Sequence, residues 1–232
     1  GSIGVNTLNV IRELNENFSI KYLTANSNSE LLIEQAIEFR PETVVIVNKE
    51  KANIVKESLE NFEIDVMVGR EGLIECAKDS DVDILLNGLV GSAGMEPTFQ
   101  AVKSGVDVAL SNKESLVMAG ELINYEKEVS GSTIFPVDSE HSAIWQCLTG
   151  ESMDDVSRII LTGSGGPFRT KNVKSFSKIT PEEALNHPNW DMGNKITIDS
   201  ATMMNKGLEI IETHWLFDIE LDAIDIVVHP QS

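Results

Sequence analysis

Cysteine is scarce in this sequence: Cys76 and Cys147 are the two in the chain. They form no Cys-x-x-Cys pair and lie near no histidine-rich cluster, which argues against a disulfide framework and a structural zinc site. Cys76 sits in the apolar run Leu73-Ile74-Glu75-Cys76-Ala77, where a thiol reads as a small buried hydrophobe. Long apolar runs are lacking too. No stretch approaches the roughly 18 apolar residues of a membrane-spanning helix. No charged-then-apolar leader opens the sequence, although a chain beginning with glycine leaves the question of a leader open. Positive charge is the third shortage, with 18 Lys and Arg against 37 Asp and Glu and a formal net charge of −19. Such a surface repels nucleic-acid phosphates, so no nucleic-acid partner is expected. It reads as the exterior of a soluble, cytoplasmic protein with no membrane partner, and it still allows a few cations to gather in one cleft. Internal repeats and low-complexity tracts are absent.

What is present suits a folded core. The 232 residues are 41% hydrophobic, enough for one large domain or two ordinary ones. The first half alternates strand-like runs (Ile20–Ala25, Thr43–Asn48, Asp65–Gly69, Ile84–Val90, Val106–Ser111) with helical-period stretches such as Ser29–Glu38 and Lys49–Asn61. That rhythm implies a parallel sheet with helices on both faces. The chain opens on Gly1-Ser2-Ile3-Gly4 and a helix over Val5–Leu14. A glycine turn into a helix normally follows a strand, so a strand and a first glycine are expected upstream. In the second half, strands are expected at Thr133–Val137, Arg158–Thr162, Lys195–Ile198 and Ala223–Val228, and an ordered loop over Thr180–Gly193. His229-Pro230-Gln231-Ser232 follows a strand directly, and a continuation is expected beyond it.

Several motifs carry chemistry. Gly1-Ser2-Ile3-Gly4 at a helix start and the cluster Gly88-Leu89-Val90-Gly91-Ser92-Ala93-Gly94 after a strand both suit a pyrophosphate. Ordinary turns are the competing reading. Ser111-Asn112-Lys113-Glu114-Ser115 follows another strand; a solvated lysine is the commoner fate of a residue like Lys113. In Pro136-Val137-Asp138-Ser139-Glu140-His141, Asp138 and Glu140 are two apart, so extended chain points both carboxylates to one side. Two like charges held together call for a cation, and a divalent metal on oxygen ligands is the economical one. Asp199–Glu209 begins at an expected strand end and runs into a helix that sets Asn205 and Glu209 on one face, with Lys206 beside them. Leu161-Thr162-Gly163-Ser164-Gly165-Gly166-Pro167-Phe168 is a glycine turn whose amides and Ser164 hydroxyl suit a phosphate. His187-Pro188-Asn189-Trp190-Asp191-Met192-Gly193 offers a histidine and an apolar wedge as a lid. Read singly, each also fits a surface pair, an amphipathic helix or a docked loop.

In this order the motifs resemble one family, the 1-deoxy-D-xylulose 5-phosphate reductoisomerases. The matching stretches are Gly1–Gly4, Ala93-Gly94 with Pro97-Thr98, Asn112–Leu116, Pro136–His141, Leu161–Phe168, His187–Gly193, Asp199–Glu209 and His229–Ser232, so the resemblance covers essentially the whole chain. It implies an α/β fold: a Rossmann-like doubly wound parallel sheet over 1–132, then an incomplete α+β catalytic domain over 133–232. It implies an NADPH- and divalent-metal-dependent (Mg²⁺ or Mn²⁺) isomerisation and reduction of 1-deoxy-D-xylulose 5-phosphate to 2-C-methyl-D-erythritol 4-phosphate, in isoprenoid precursor synthesis. Residue by residue, it implies metal ligands Asp138, Glu140 and Glu209, and catalytic roles for Lys113, Glu140 and His187. Ser164, Ser200, Asn205 and Lys206 match the phosphate pocket, Ser139 a substrate contact, and His187, Trp190 and Met192 the lid. Glu209 also borders the substrate. Gly1, Ser2, Ile3, Asn28, Asn112, Glu114 and Gly193 match cofactor positions. A homodimer is expected, in the cytoplasm, or in the plastid for a plant or algal source.

Some members carry a lysine where this chain has Ser27, so a preference for NADPH rests on the resemblance and not on a visible charge. The 232 residues alone are expected to have little or no activity. Two other readings compete: a dehydrogenase acting on a semialdehyde, which needs no Asp-x-Glu metal pair, and a non-catalytic binding module.

Overall fold

The computed structural model describes residues 1–14, 18–190, 192–229 and 231. Packing divides the chain into two units: Gly1–Ser115 with Leu122–Phe135, and Leu116–Glu121 with Pro136–Ser232. Among the described residues no helix is long and apolar enough to cross a membrane.

The first unit is α/β. In order it contains α1 (Ser2–Leu14), β1 (Tyr22–Ala25), α2 (Ser29–Phe39), β2 (Thr43–Ile46), α3 (Ala52–Leu59), β3 (Asp65–Val68), α4 (Gly69–Ala77), β4 (Ile84–Asn87), α5 (Met95–Lys103), β5 (Asp107–Leu110), α6 (Lys113–Ser130) and β6 (Ile134–Pro136). The strands hydrogen-bond as two three-stranded sheets, β1-β2-β3 and β4-β5-β6. β1–β2, β2–β3 and β4–β5 pair in parallel, with Thr43 opposite Tyr22 and Asp65, and Ile84 opposite Asp107.

β2 shows why the layers form. Val44, Val45 and Ile46 are fully buried, the unbroken apolar run of a strand covered on both faces. Val44 and Ile46 pack with Leu32 and Ala36 of α2 and Val55 and Leu59 of α3. Val45 points the other way, to Leu73 and Cys76 of α4. Each such side chain contributes on the order of 2 kcal/mol by leaving water. Helices therefore lie on both faces, as the alternating pattern predicts, and Cys76 is buried as expected.

The second unit holds α7 (Ser139–Leu148), β7 (Ile159–Gly163), α8 (Pro181–Leu185), α9 (Asn194–Ala201), α10 (Met204–Phe217) and β8 (Ile224–Val228). β7 and β8 pair in parallel, Ile159 opposite Ile224 and Gly163 opposite Val228. Their core is Ile159, Leu161, Phe217, Ile219 and Ile224, with Ile144 and Leu148 of α7 and Ile210 of α10 against it. Gly120 of α6 is also part of this unit. A Cβ there would lie 2.3 Å from the Trp215 indole, so only glycine lets that ring rest on the helix. The adjoining Ala119 has non-helical angles (φ −144°, ψ 25°), which kinks α6 at this contact.

Three expectations are corrected. Lys195–Ile198 is not a strand but part of α9. Four alternating residues mimic period two, yet Thr197 Oγ1 donates back to Gly193 O and Lys195 pairs with Asp199 one turn on, at 2.6 Å. β-branched propensity costs a helix only tenths of a kcal/mol, and these local contacts outweigh it. Asp199 and Ser200 are therefore helical, and Met203, at φ 61°, breaks α9 from α10. The loop expected over Thr180–Gly193 contains α8, whose Pro181 is its first residue and whose Thr180 and Glu183 make a capping box. Asp138 and Glu140 are not on extended chain: β6 ends at Pro136, Asp138 caps α7, and Glu140 is in its first turn.

Candidate functional site

α7 and α10 bring three carboxylates together. Asp138 Oδ1 accepts the Ser139 amide at 3.1 Å and so starts α7. Glu140 follows one residue into the helix, where the Ser139 hydroxyl donates to its Oε2 at 2.7 Å. Glu209 comes from α10 and is 1% exposed. Oxygens of Asp138, Glu140 and Glu209 all lie within 4.8 Å of one another. Three anions this close need a cation, and the chain supplies one. Lys206 Nζ donates to Glu140 Oε1 at 2.9 Å, to the Thr162 carbonyl at 2.6 Å and to Glu209 Oε2. Its stem crosses Gly163, where a Cβ would stand 2.8 Å from Lys206 Cε. Asn205 Nδ2 donates to the other Glu209 oxygen, so the pairing of residues four apart on one helical face holds. Burial works to raise the Glu140 pKa, but the hydrogen bonds from Lys206 and Ser139 outweigh it and leave the carboxyl below its ordinary value. Hard oxygen donors around a site already shaped to a positive charge fit a divalent cation such as Mg²⁺ or Mn²⁺.

Behind this cluster lies a buried layer that the sequence reading missed. His141 and Glu212 are both fully buried, and His141 Nδ1 stands 3.4 Å from Glu212 Oε2 and 3.7 Å from Asp138 Oδ2. His141 Nε2 meets the Glu209 carbonyl at 3.1 Å and Thr213 Oγ1 at 2.9 Å. A signal was available. Asn205, Lys206, Glu209, Glu212 and Thr213 recur at three- and four-residue steps, a polar stripe along one helix that continues past Glu209.

The glycine turn after β7 gathers the next group. A Cβ on Gly166 (φ 68°) would come 2.5 Å from the Ser200 carbonyl, so glycine lets this turn lie on Ser200. Ser164 Oγ is 3.1 Å from His187 Nε2. His187 Nδ1 accepts the backbone N–H groups of Asn189 (3.2 Å) and Trp190 (3.1 Å). An Nδ1 that accepts puts the proton on Nε2, which donates to Ser164. Burial, with help from the Arg169 charge, lowers the His187 pKa and keeps the ring neutral near pH 7. Trp190 is 60% exposed beside it. Met192 is half-buried and Gly193 precedes α9, while Asp191 lies outside the described residues. Of the four phosphate candidates, Ser164 lies on this turn and Ser200, in α9, sets its backbone carbonyl against it, whereas the heads of Asn205 and Lys206 face the carboxylates.

In the first unit the glycine motifs meet. A Cβ on Gly88 would fall 2.9 Å from the Ile3 side chain, so the start of α1, with Gly1 and Ser2, rests at the end of β4. Asn112 caps α6 and its Nδ2 donates to Leu89 O and Gly91 O (both 2.9 Å) and to Glu114 Oε2 (3.0 Å). At 1% exposure its side chain ties the glycine cluster to the helix. Lys113 is 6% exposed, not solvated. Asn28 caps α2, its side chain accepting from the Leu31 amide. The end motif His229–Ser232 contains Pro230 and Ser232, which lie outside the described residues.

Two family models match the chain: 1-deoxy-D-xylulose 5-phosphate reductoisomerase over residues 1–120, and the C-terminal domain of the same family over residues 134–217. Relatives of that name from Chloroherpeton thalassium and Thermoanaerobacter pseudethanolicus are 55% and 52% identical over 232 residues. The chain is covered entirely in both matches and spans 60% of the length of each relative. The fold is similar to a solved 1-deoxy-D-xylulose 5-phosphate reductoisomerase from Zymomonas mobilis in complex with NADPH (TM-score 0.93, 43% identity, 100% of this chain and 60% of that one). It is also similar to a solved reductoisomerase in complex with NADPH, fosmidomycin and magnesium (TM-score 0.92, 40% identity, 100% and 60%).

Proposed function

The chain belongs to the 1-deoxy-D-xylulose 5-phosphate reductoisomerase family, and from that premise we propose that the protein converts 1-deoxy-D-xylulose 5-phosphate to 2-C-methyl-D-erythritol 4-phosphate, using NADPH and a divalent cation. The observation that carries the metal-dependent part is the carboxylate cluster with an ammonium already inside it. Asp138, Glu140 and Glu209 would hold the cation. When bound, the cation supplies Lewis acidity at the substrate oxygens and NADPH supplies hydride.

The chain's own residues do the rest. Lys206 holds oxygens of Glu140 and Glu209 that a divalent cation would also take, and two cations sharing them would repel. Turned away from them, its ammonium would serve the substrate phosphate, with Asn205, Ser200 and Ser164. Ser139 and Lys113 orient the substrate backbone. His187, neutral and donating to Ser164, fastens the loop that carries Trp190, and that indole with Met192 covers a polar substrate and excludes water. The first amides of α1, at Gly1–Ile3, would hold the pyrophosphate of NADPH. Asn28, Glu114 and Gly193 are assigned to cofactor binding, and Asn112 acts by fixing the glycine cluster.

We further propose that the protein works in the cytoplasm as a homodimer, the latter readable by sedimentation velocity. Residues 1–232 alone, at 60% of the relatives' length, should show little or no turnover. The test is NADPH oxidation with 1-deoxy-D-xylulose 5-phosphate in the full-length protein, with and without Mn²⁺, beside an Asp138→Asn, Glu140→Gln double variant. Mn²⁺-dependent oxidation lost in the variant is expected. A folded, NADPH-binding protein without oxidation would sink the proposal.

A further inference from the structure

The layer behind the carboxylates has no part in the reading above, and its cost is high. Glu212 and His141 are fully buried, as is Thr213. An ionised carboxylate taken out of water costs several kcal/mol unless neighbouring groups offset it. An apolar residue at 212 would be buried without that penalty. Buried polar groups that break the local pattern in this way are expected at functional sites.

Geometry connects this layer to one. His141 Nε2 meets the Glu209 carbonyl and the Thr213 hydroxyl, its face lies parallel to Phe217 at 6.4 Å, and Nδ1 lies 3.4 Å from Glu212 Oε2, a charge contact without a hydrogen bond. The same Nδ1 edge stands beside Asp138 Oδ2, while Asp138 Oδ1 accepts the Ser139 amide. Asp138 is therefore hydrogen-bonded at Oδ1, and its Oδ2 stands 3.7 Å from the buried His141 Nδ1, which limits how the carboxylate can turn. His141 touches Asp138 from within its own helix and Glu209 through the backbone of α10, so it ties together ligands that come from separate elements.

We infer that Glu212 and His141 are positioning residues: Glu212 fixes the His141 ring, and the ring fixes the Asp138 carboxylate for cation binding. This rests on the reading of Asp138, Glu140 and Glu209 as the metal site. Outer-layer partners of this kind are worth roughly ten- to a hundredfold in metal affinity when removed.

The test is Mn²⁺ affinity of the full-length protein, read from the free Mn²⁺ signal in electron paramagnetic resonance, with thermal melting as the check on folding. Wild type is measured first, and absence of Mn²⁺ binding there would remove the metal-site reading itself. Glu212→Gln keeps the shape and loses the charge. Its Mn²⁺ dissociation constant should rise at least about tenfold with a cooperative melt retained; a value within about twofold of wild type overturns the inference, since a purely structural Glu212 moves the melt and not the affinity of the folded protein. His141→Asn and His141→Gln decide independently, including the case in which Glu212→Gln does not fold. The Asn amide reaches the Nδ1 position beside Asp138, and the Gln amide the Nε2 position beside Thr213. His141→Asn should keep the tighter Mn²⁺ binding of the two. Equal affinities, or the reverse order, overturn the inference.

Discussion

Replacing Lys206 with Met probes the carboxylate cluster most sharply, because it removes the ammonium and keeps most of the stem over Gly163. Lys206 and Glu209 are nearly enclosed, at 6% and 1% side-chain exposure, so solvent screens their pairing little. Without the ammonium, ionised oxygens within 4.8 Å repel by about 3 kcal/mol per pair at an effective dielectric of about 20. Uptake of one proton by the cluster caps the loss, and removing one partner of a buried ion pair typically costs about 3–5 kcal/mol. The metal-free variant should therefore unfold at lower urea, by about 3 kcal/mol. A divalent cation answers the same repulsion. Saturating Mn²⁺ should close most of the gap, and the variant should bind Mn²⁺ more tightly than the parent. Urea unfolding of both proteins, with Mn²⁺ and with chelator, reads this directly. A gap that Mn²⁺ leaves unchanged, or no gap in chelator, would refute the placement of Lys206 among the carboxylates.

Gly120→Ala drives a methyl into the Trp215 indole at 2.3 Å and should cost about 1–3 kcal/mol, with altered Trp fluorescence; a neutral result would contradict that contact. Asp79 is held at about 2, below its ordinary 3.8, by hydrogen bonds from Lys21 and Tyr22. A depressed carboxyl stabilises the fold above its unfolded pKa and loses that contribution as pH falls through the folded value. Asp79→Asn should thus lower the unfolding free energy read by urea by about 1 kcal/mol at pH 6, discounted for its partial exposure, and the difference should vanish between pH 4 and pH 2. Arg169→Ala relieves one of the two effects that depress His187, so its NMR titration midpoint should move upward while staying below that of an exposed histidine.

The parallel α/β layering was legible because Val44–Ile46 and its neighbours are short, β-branched runs at regular spacing. The meeting of Asp138, Glu140 and Glu209 was also foreseen, but on a wrong local picture: an N-cap and a helix start, not extended chain, aim the first two. Lys195–Ile198 misled because four residues cannot separate period two from period 3.6. Two features needed more than a local pattern, although the polar stripe through Glu209, Glu212 and Thr213 hinted at the first. Burial of Glu212 and His141 depends on the packing of α7 on α10, and the choice of Lys206 between a phosphate and the carboxylates depends on distances across 66 residues.

An anomalous difference map from crystals of the full-length protein soaked in Mn²⁺ tests the metal site most directly. A single strong peak is expected within coordination distance of Asp138, Glu140 and Glu209, with Lys206 Nζ withdrawn from Glu140 and Glu209. A map with Lys206 still seated between those carboxylates and no peak there, or with manganese bound only elsewhere, would contradict the site.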